Sequence, residues 1–311
     1  MPPIPNYLEK LDNKIRVVGA SKFLKESHLK SGYSFREATQ LLNLKKNYYR
    51  DHMATESNLS INFLKLFSNR IDSGIFETIY LSDKIVLTAG SKKVLIPKAI
   101  DSKLAYFIGY LQGDGCLTSD KKVIIFCDEY VEQMEHIDGL SKELFNVSGK
   151  IRKEKSTLSD KIIPSLYIRS FVLNSFIHTV FGINRGIKEN LKIPLLIKNN
   201  KELLKPYLAG LFDADGTLPK EPGEAKQLFI DFSSKDKEFI DEIKEALSLF
   251  GIETLRAYER KSRSPFSDRL CITYEIRIRK KGMLLKFLQA INFYHPNKAV
   301  RAKKMIKLLD R

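Results

Sequence analysis

The feature that most constrains this chain is a glycine-bearing segment that occurs twice, roughly 100 residues apart. IGYLQGDG stands at 108–115 and AGLFDADG at 209–216. Three pairs of positions correspond when the segments are aligned: Gly109 with Gly210, Gly113 with Ala214, and Asp114 with Asp215. Small residues four apart share one helix face and let two helices approach until their backbones touch. The pattern predicts two closely packed helices that each end in an aspartate, followed by Gly115 or Gly216 as a left-handed cap.

The region around each segment repeats as well. From residue 104 onward a pattern of helix, strands, helix, strands and helix occurs twice, at 104–200 and 201–311. This predicts an α+β protein whose two halves are related by a pseudo-twofold axis. Residues 1–92 are interpreted as a small, mostly helical domain, and the Gly, Ser, Pro and Lys of TAGSKKVLIPKAIDSK predict a linker over 93–103.

The amino-terminal region has the signature of a helix-turn-helix module. Ser34 followed by Glu37 is a capping box that opens a short helix, and KKNYYRDHM follows after a turn. A basic, aromatic second helix is the element that enters the major groove in such modules. Its candidate DNA contacts are Lys45, Lys46, Tyr48 and Arg50. A small helical bundle with a solvated, charged face is the alternative.

Charge and composition narrow the function. The chain has 53 Lys and Arg against 37 Asp and Glu, a formal net charge of +16, which favours a polyanionic partner such as nucleic acid or a membrane surface. No apolar run is long enough for a membrane span. Of the two polyanions, we expect DNA rather than a membrane as the partner. Three scattered cysteines and the absence of a secretory signal predict a reducing, cytoplasmic location. The cysteines and histidines lack zinc-type spacing, so any metal is expected on oxygen ligands.

The two aspartates suggest the chemistry. A carboxylate at the carboxyl end of a helix is disfavoured by the helix dipole, and two such ends packed together repel each other. A shared divalent cation relieves both penalties, and oxygen ligands with few side chains suit Mg2+, which takes further ligands from water and phosphate. Two acids, shared cations and a basic surface together imply phosphodiester hydrolysis.

LAGLFDADG at 208–216 differs at one position from the signature of the LAGLIDADG homing endonucleases, and LAYFIGYLQGDG at 104–115 resembles a diverged first copy. The resemblance covers about 95–311 and implies two αββαββα halves in a single, monomeric chain. It implies that the sheets straddle double-stranded DNA, with no protein partner. It also implies that Asp114 and Asp215 are the catalytic acids, one per DNA strand, sharing two or three Mg2+ ions. Lys188 and Lys298 resemble the family's basic residue near the end of each half; the alternative is that either is a surface lysine.

The strands show a polar, basic face suited to DNA. In LCITYEIRIRK, at 270–280, apolar residues alternate with polar ones, as in a sheet buried on one side. Arginines can read guanine edges, while Lys153, Lys155 and Lys261 are interpreted as loop lysines that contact phosphates. The candidate DNA contacts of the two halves are Arg152, Lys153, Lys155, Tyr167, Arg169, Arg256, Tyr258, Arg260, Lys261, Thr273, Arg277 and Arg279.

Two alternatives to an endonuclease remain. A DNA-binding regulator without cleavage has a precedent in the sporulation-regulator family, which joins a similar fold to a helix-turn-helix. An RNA maturase is another, whereas a self-splicing intein is disfavoured because the chain neither begins with Cys or Ser nor ends in His-Asn.

His178 and His295 are expected to be packing or surface residues rather than ligands. Asp213, whose counterpart is Gln112, is interpreted as a helix-end residue.

Overall fold

The structure is a computed structural model that describes residues 1–45, 47–54, 57–155, 161–263 and 270–310. None of the helices in these ranges has the length and apolar character needed to cross a membrane. Buried side chains from the amino-terminal region and from both halves form one continuous hydrophobic core.

In its described residues, the amino-terminal region combines a short 3-10 helix and five α-helices with a small sheet. Its elements are a 3-10 helix Leu8–Lys10, β1 Arg16–Val17, α1 Ser21–Ser31, α2 Phe35–Leu41, α3 Tyr48–Ala54, β2 Leu59–Ser60, α4 Ile61–Arg70, α5 Ile75–Leu81, β3 Ile85–Thr88 and β4 Lys93–Ile96. The strands form an antiparallel sheet in the order β2-β1-β3-β4. Ser34 and Glu37 form the predicted capping box at the start of α2.

The predicted linker is wrong at its start. Lys93–Ile96 forms β4, and Val94, Ile96 and Ile100 are buried. The alternation of polar and apolar residues in KVLI is a strand pattern that the neighbouring Gly, Ser and Pro obscured. The sheet therefore extends the amino-terminal region through Ile96.

The first half follows the order αββαββα. Its elements are α6 Ser102–Asp114, β5 Gly115–Leu117, β6 Val123–Cys127, α7 Val131–Phe145, β7 Lys150–Lys155, β8 Ile162–Arg169 and α8 Phe171–Phe181. The antiparallel sheet has the order β5-β6-β8-β7. On β8, Leu166 and Ile168 are buried, whereas Tyr167 and Arg169 point to the other face, as the alternation of the sequence predicts.

The second half repeats this order with one strand reduced. After α9 Leu195–Lys198 come α10 Lys201–Asp215, β9 Ile230–Ser234, α11 Lys237–Ser248, β10 Tyr258–Arg263, β11 Leu270–Ile278, α12 Lys281–Ala290 and α13 Pro296–Leu309. The sheet has the order β10-β11-β9. Where the first half has β5, the second has an isolated antiparallel bridge between Thr217 and Asp231.

Helices α6 and α10 pack backbone to backbone through their small residues. A Cβ added to Gly109 would lie 2.1 Å from the carbonyl oxygen of Tyr207, and one added to Gly210 would lie 2.2 Å from that of Tyr106. One added to Gly113 would lie 2.3 Å from the Cβ of Ala214. These positions require residues with little or no side chain because the opposing helix occupies the space.

The prediction of left-handed caps is wrong. Gly115 has φ −94° and Gly216 has φ −70°, both with extended ψ, because each residue leads directly into the following extended segment. Glycine is needed here for space: a Cβ on Gly115 would lie 2.8 Å from the backbone oxygen of Leu111, and one on Gly216 2.5 Å from that of Phe212.

The amino-terminal region packs against the first half. The ring of Tyr7 meets that of Phe176 edge-on, with 5.2 Å between centroids. Asp12 pairs with Lys121 at 3.4 Å, and β4 lies beside α7. These contacts place the predicted helix-turn-helix at the first-half end of the molecule.

Candidate active site

The two motif aspartates lie at adjacent helix ends. Asp114 is the last residue of α6 and Asp215 the last of α10. A Cβ on Gly113 would lie only 3.3 Å from Oδ2 of Asp215, so the ends of the two helices touch. Burial, and then the charge of Asp215, raise the pKa of Asp114 to about 7. Asp215 reaches solvent, yet desolvation by the surrounding protein still raises its pKa.

Each helix end is capped by a lysine of its own half. The Nζ of Lys188 donates to the carbonyl oxygen of Gln112 at 3.0 Å and to that of Gly113. The Nζ of Lys298 donates to the carbonyls of Asp213 and Ala214 at 2.6 and 2.7 Å. Both ammonium groups satisfy carbonyls that a helix leaves unpaired at its carboxyl end. Burial lowers the pKa of each lysine, although the nearby aspartates oppose this.

Two tyrosine hydroxyls form hydrogen bonds between α6 and α10. Tyr106 of α6 donates its hydroxyl to Oδ2 of Asp213 at 2.8 Å, and Tyr207 of α10 donates to Oε1 of Gln112, also at 2.8 Å. The sequence interpretation placed Asp213 at a helix end but missed its buried role. Aligning LAYFIG with PYLAG pairs the two tyrosines and could have revealed the bridges.

A second group of polar side chains crosses between the halves beside the aspartates. Asp128 follows β6, and its carboxylate accepts from the hydroxyl of Tyr110 at 2.8 Å and lies 3.2 Å from Nε2 of His295. Burial would raise the pKa of Asp128, but the hydrogen bond from His295 and the other donors lower it overall. Both side chains line an open cleft of about 560 Å³ that includes Asp114 and Lys298.

His178 and His295, which the sequence analysis interpreted as packing or surface residues, both contact polar groups. His295 is buried and bonded to Asp128, as described above, so the packing prediction holds for its position but missed its partner. His178, half-buried on α8, has its Nδ1 2.8 Å from the carbonyl oxygen of Ile183.

The sheet face away from the helices carries most of the predicted DNA contacts. By strand alternation and register it bears Arg152, Tyr167, Arg169, Tyr258, Arg260, Thr273, Arg277 and Arg279. The guanidinium of Arg152 lies over the ring of Tyr167, 5.2 Å from its centroid. Such a face of arginines and aromatic rings suits a nucleic acid.

Three lysines depart from this arrangement. Lys153 and Lys155 lie on the edge strand β7 rather than in a loop, and they share the face that carries Leu166. Lys261 on the edge strand β10 likewise shares the face of Ile272. A one-residue change in strand position reverses the face, and the sequence interpretation had assigned these lysines to loops. Arg256 is exposed but precedes β10 instead of lying on it.

Arg277 is already engaged by carboxylates. Its Nε and Nη2 donate to the two oxygens of Asp231, each at 2.6 Å, and Nη2 also lies 2.9 Å from Glu275. The hydrogen bonds to Asp231 raise the pKa of Arg277. The same carboxylate of Glu275 accepts from the hydroxyl of Tyr258. These atoms of Arg277 are therefore committed to holding β9 and β11 together.

The described candidate contacts of the amino-terminal region are on its surface. Lys45, Tyr48 and Arg50 are exposed, and Lys46 lies outside the described residues. Tyr49, beside them on α3, is buried and its hydroxyl lies 3.0 Å from Nδ1 of His28. The helix thus packs by one face and presents a basic, aromatic one.

The donor set suits a hard divalent cation that takes part of its coordination from elsewhere. Within the described ranges, no group of three or more His, Cys, Asp or Glu could hold a metal alone. Asp114 lines an open cleft and Asp215 reaches solvent beside it, so the two carboxylates leave positions for water and phosphate oxygen, as Mg2+ prefers.

Comparisons with known proteins identify the class. Residues 202–292 match the family model described as LAGLIDADG-like domain. This part of the chain is a LAGLIDADG-like domain, in agreement with the motif at 208–216, and the α+β fold of two repeated halves is confirmed.

Relatives and solved structures match other parts of the chain. The glutamine–fructose-6-phosphate aminotransferase of Methanocaldococcus jannaschii is 29% identical over 218 residues, which is 70% of this chain and 18% of that protein. One subunit of the A-type ATP synthase of Pyrococcus abyssi is 31% identical over 161 residues, 51% of this chain and 15% of that protein. The chain therefore spans less than a fifth of the length of either relative. The homing endonuclease I-WcaI bound to its DNA recognition sequence is 16% identical, with a TM-score of 0.45 over 65% of this chain and 85% of that chain.

Proposed function

We propose that this protein is a site-specific endonuclease that cuts both strands of double-stranded DNA with the help of Mg2+. The observation that carries the proposal is the pair of aspartates at touching helix ends, each with a half-buried lysine capping the same helix. A structural helix pair has no need for a carboxylate at both unfavourable ends.

The side chains divide the work. Asp114 and Asp215 would hold the divalent ions, which supply a polarised phosphoryl oxygen and an activated water. Lys188 and Lys298 place positive charge beside the same spot and are held in place by their bonds to helix carbonyls. One chain contains both acids and both lysines, so a monomer carries a complete site.

Charge and surface support a DNA substrate. A net charge of +16 favours a polyanion, and each half carries a basic, aromatic sheet face, as a two-half binding surface requires. The exposed residues of α3 would add contacts beyond the first half.

The proteins similar to this chain support its interpretation as the product of a mobile element. An aminotransferase and part of an ATP synthase have no activity in common, yet each contains a segment similar to this chain in a small part of its length. A segment shared by proteins of such different activity is a separable module, as expected of a homing endonuclease that spreads with its gene.

The test is cleavage of the DNA formed by joining the two flanks of the gene. We expect the protein to linearise a plasmid carrying that junction in Mg2+. Asp114→Asn or Asp215→Asn should abolish double-strand cutting or leave only nicking, while binding in Ca2+ is retained. Glu143→Gln, which removes an exposed carboxylate on α7, is the matched control. Binding without any cut by the unmutated protein would contradict the proposal.

The same assay addresses a second candidate, a DNA-binding regulator without cleavage. The helix-turn-helix-like pair α2 and α3 favours this function. Retained aspartates at both helix ends favour the nuclease, because a regulator has no need of them.

A further inference from the structure

The two capping lysines have different electrostatic surroundings. Lys188 interacts with the carboxylates of the two motif aspartates. Lys298 interacts with the same two and also with Asp128 and Asp213. The position that corresponds to Asp213 in the first half is Gln112, which is neutral. One of the two additional acids therefore has no counterpart near Lys188.

The other additional acid also lacks a counterpart. Ile125 and Asp231 occupy the same position in the two sheets, since each pairs with the residue two after its motif aspartate. Three residues further along, Asp128 corresponds to Ser234. Two acids near Lys298 therefore stand where the corresponding residues near Lys188 are neutral. Two separate substitutions produce the electrostatic difference between the two lysines.

His295 connects Asp128 to the helix that carries Lys298. Its Nε2 lies 3.2 and 3.3 Å from the two oxygens of Asp128, and its Nδ1 accepts from the backbone N–H of Lys298 at 3.4 Å. Because Nδ1 accepts, the ring proton is on Nε2 and is donated to Asp128. Both side chains are less than 8% exposed, so water does not compete strongly for this bond.

Neighbouring residues dock the same segment on the first half. Nδ2 of Asn297 donates to the hydroxyl of Tyr130 at 2.5 Å. The ring of Tyr294 meets that of Tyr106 edge-on at 5.0 Å. Lys298 lies in the first turn of α13, immediately after this docked segment.

The loop that carries Lys188 is held differently. The backbone N–H of Gly186 donates to the carbonyl of Leu117 in the same half at 2.7 Å. In the described part of this loop, the hydrogen bond to the second half comes after Lys188, where the N–H of Leu191 donates to Asp236 at 2.6 Å. Lys188 is thus positioned from within its own half.

We propose that Asp128 and His295 are positioning residues that hold Lys298 at the end of α10 from across the interface, so that cleavage of one DNA strand depends on them and cleavage of the other does not. The inference rests on the proposed endonuclease function. A lysine displaced by a fraction of an ångström from the scissile phosphate slows only the reaction at that phosphate.

The first test follows each strand of a target duplex labelled with a different fluorophore. His295→Ala should slow one strand by roughly tenfold or more and change the other by less than about twofold, with an unchanged DNA dissociation constant. His295→Gln, whose amide N–H can still reach Asp128, should restore the slowed strand. Asp128→Ala should slow the same strand, and Glu143→Gln should slow neither. Equal slowing of both strands would overturn the inference.

The second test needs no cleavage and separates this inference from the proposed function. Acetic anhydride labels lysine amines, and mass spectrometry gives the ratio of labelling at Lys298 to that at Lys188 in the folded protein without DNA. The ratio should rise several-fold in His295→Ala and Asp128→Ala and return toward the original value in His295→Gln. An unchanged ratio would overturn the inference. If the unmutated protein never cuts but the ratio rises, the endonuclease proposal fails while the positioning role stands.

Discussion

The two halves share their helix packing but not their polar surroundings. At the interface, Gly109 and Gly210 face the backbone of the opposite helix at almost equal distances. Two residues before each aspartate, however, the first half has Gln112 and the second has the buried carboxylate of Asp213. Close backbone contact leaves no room for a side chain on either side, so it keeps the halves alike. Hydrogen bonds can be made by several residue types, so the polar groups are free to differ.

The sheets show the same contrast. Tyr167 and Arg277 occupy corresponding positions, but the tyrosine donates one hydrogen bond to Glu154 whereas the arginine joins two carboxylates. The second half therefore holds an ion network of one half-buried arginine and two buried carboxylates, where the first has a single neutral donor. This predicts that matched substitutions in the two halves have equal effects at the helices and unequal effects at the polar sites.

The largest effect is expected at the helix interface. Gly109→Ala and Gly210→Ala should each destabilise the protein by about 3 kcal/mol or more, because the added methyl overlaps a backbone carbonyl that can move only with its helix. Urea unfolding would measure both. Gly139→Ala on α7, where a Cβ meets nothing within 4 Å, should instead stabilise by about 0.5–1 kcal/mol. A large difference in stability between the two interface variants would contradict the expectation that the helix packing is symmetric.

The ion network of the second sheet should give a smaller difference in stability between matched substitutions of the two halves. Arg277→Met leaves Asp231 and Glu275 without their partner and should cost about 2 kcal/mol, allowing for the partial exposure of the arginine. Tyr167→Phe removes one hydrogen bond and should cost about 1 kcal/mol or less. Thermal unfolding would compare them, and equal losses would contradict the contrast.

The loss in Arg277→Met should depend on pH. Burial already raises the pKa of Asp231 with the arginine present, and its removal should raise this pKa further. An acid with a raised pKa in the folded state destabilises the fold as pH rises from its unfolded toward its folded pKa. The difference from the unmutated protein should therefore be larger at pH 8 than at pH 5, and the opposite trend would contradict this account.

The position two residues before each motif aspartate gives a comparable test. Gln112→Glu places a carboxylate against the carbonyl of Lys192, to which the amide now donates at 2.8 Å, and should cost about 2 kcal/mol. Asp213→Asn keeps an oxygen for its donors and removes a buried charge, so it should change stability by less than about 1 kcal/mol. Urea midpoints at pH 7 would show the difference, and equal values would mean that the charge on Asp213 has no separate role.

The sequence predicted what depends on periodicity and missed what depends on register and long-range contact. The spacing of Gly109, Gly113 and Asp114 fixes one helix face, so the packed pair could be inferred from local geometry. Whether Lys153 faces the core or the DNA depends on strand register, which alternation alone does not determine at an edge strand. The bond between Asp128 and His295 joins residues 167 positions apart, and no local pattern indicates such a pair.

The smallest effect concerns the amino-terminal region. Arg50 is exposed on α3, and if it contacts a phosphate, Arg50→Gln should lower the slope of log binding constant against log salt by about 1, with a modest loss of affinity at low salt. Lys142→Gln, in the last turn of α7, removes an exposed charge that lies outside the sheet faces and should leave the slope unchanged. Fluorescence anisotropy at several salt concentrations measures both. Because α3 lies at the first-half end, a footprint of the unmutated complex should extend further from the cut on one side than on the other. A symmetric footprint with an unchanged slope would mean that the helical region is a structural addition, and that the two halves alone provide the DNA-binding surface.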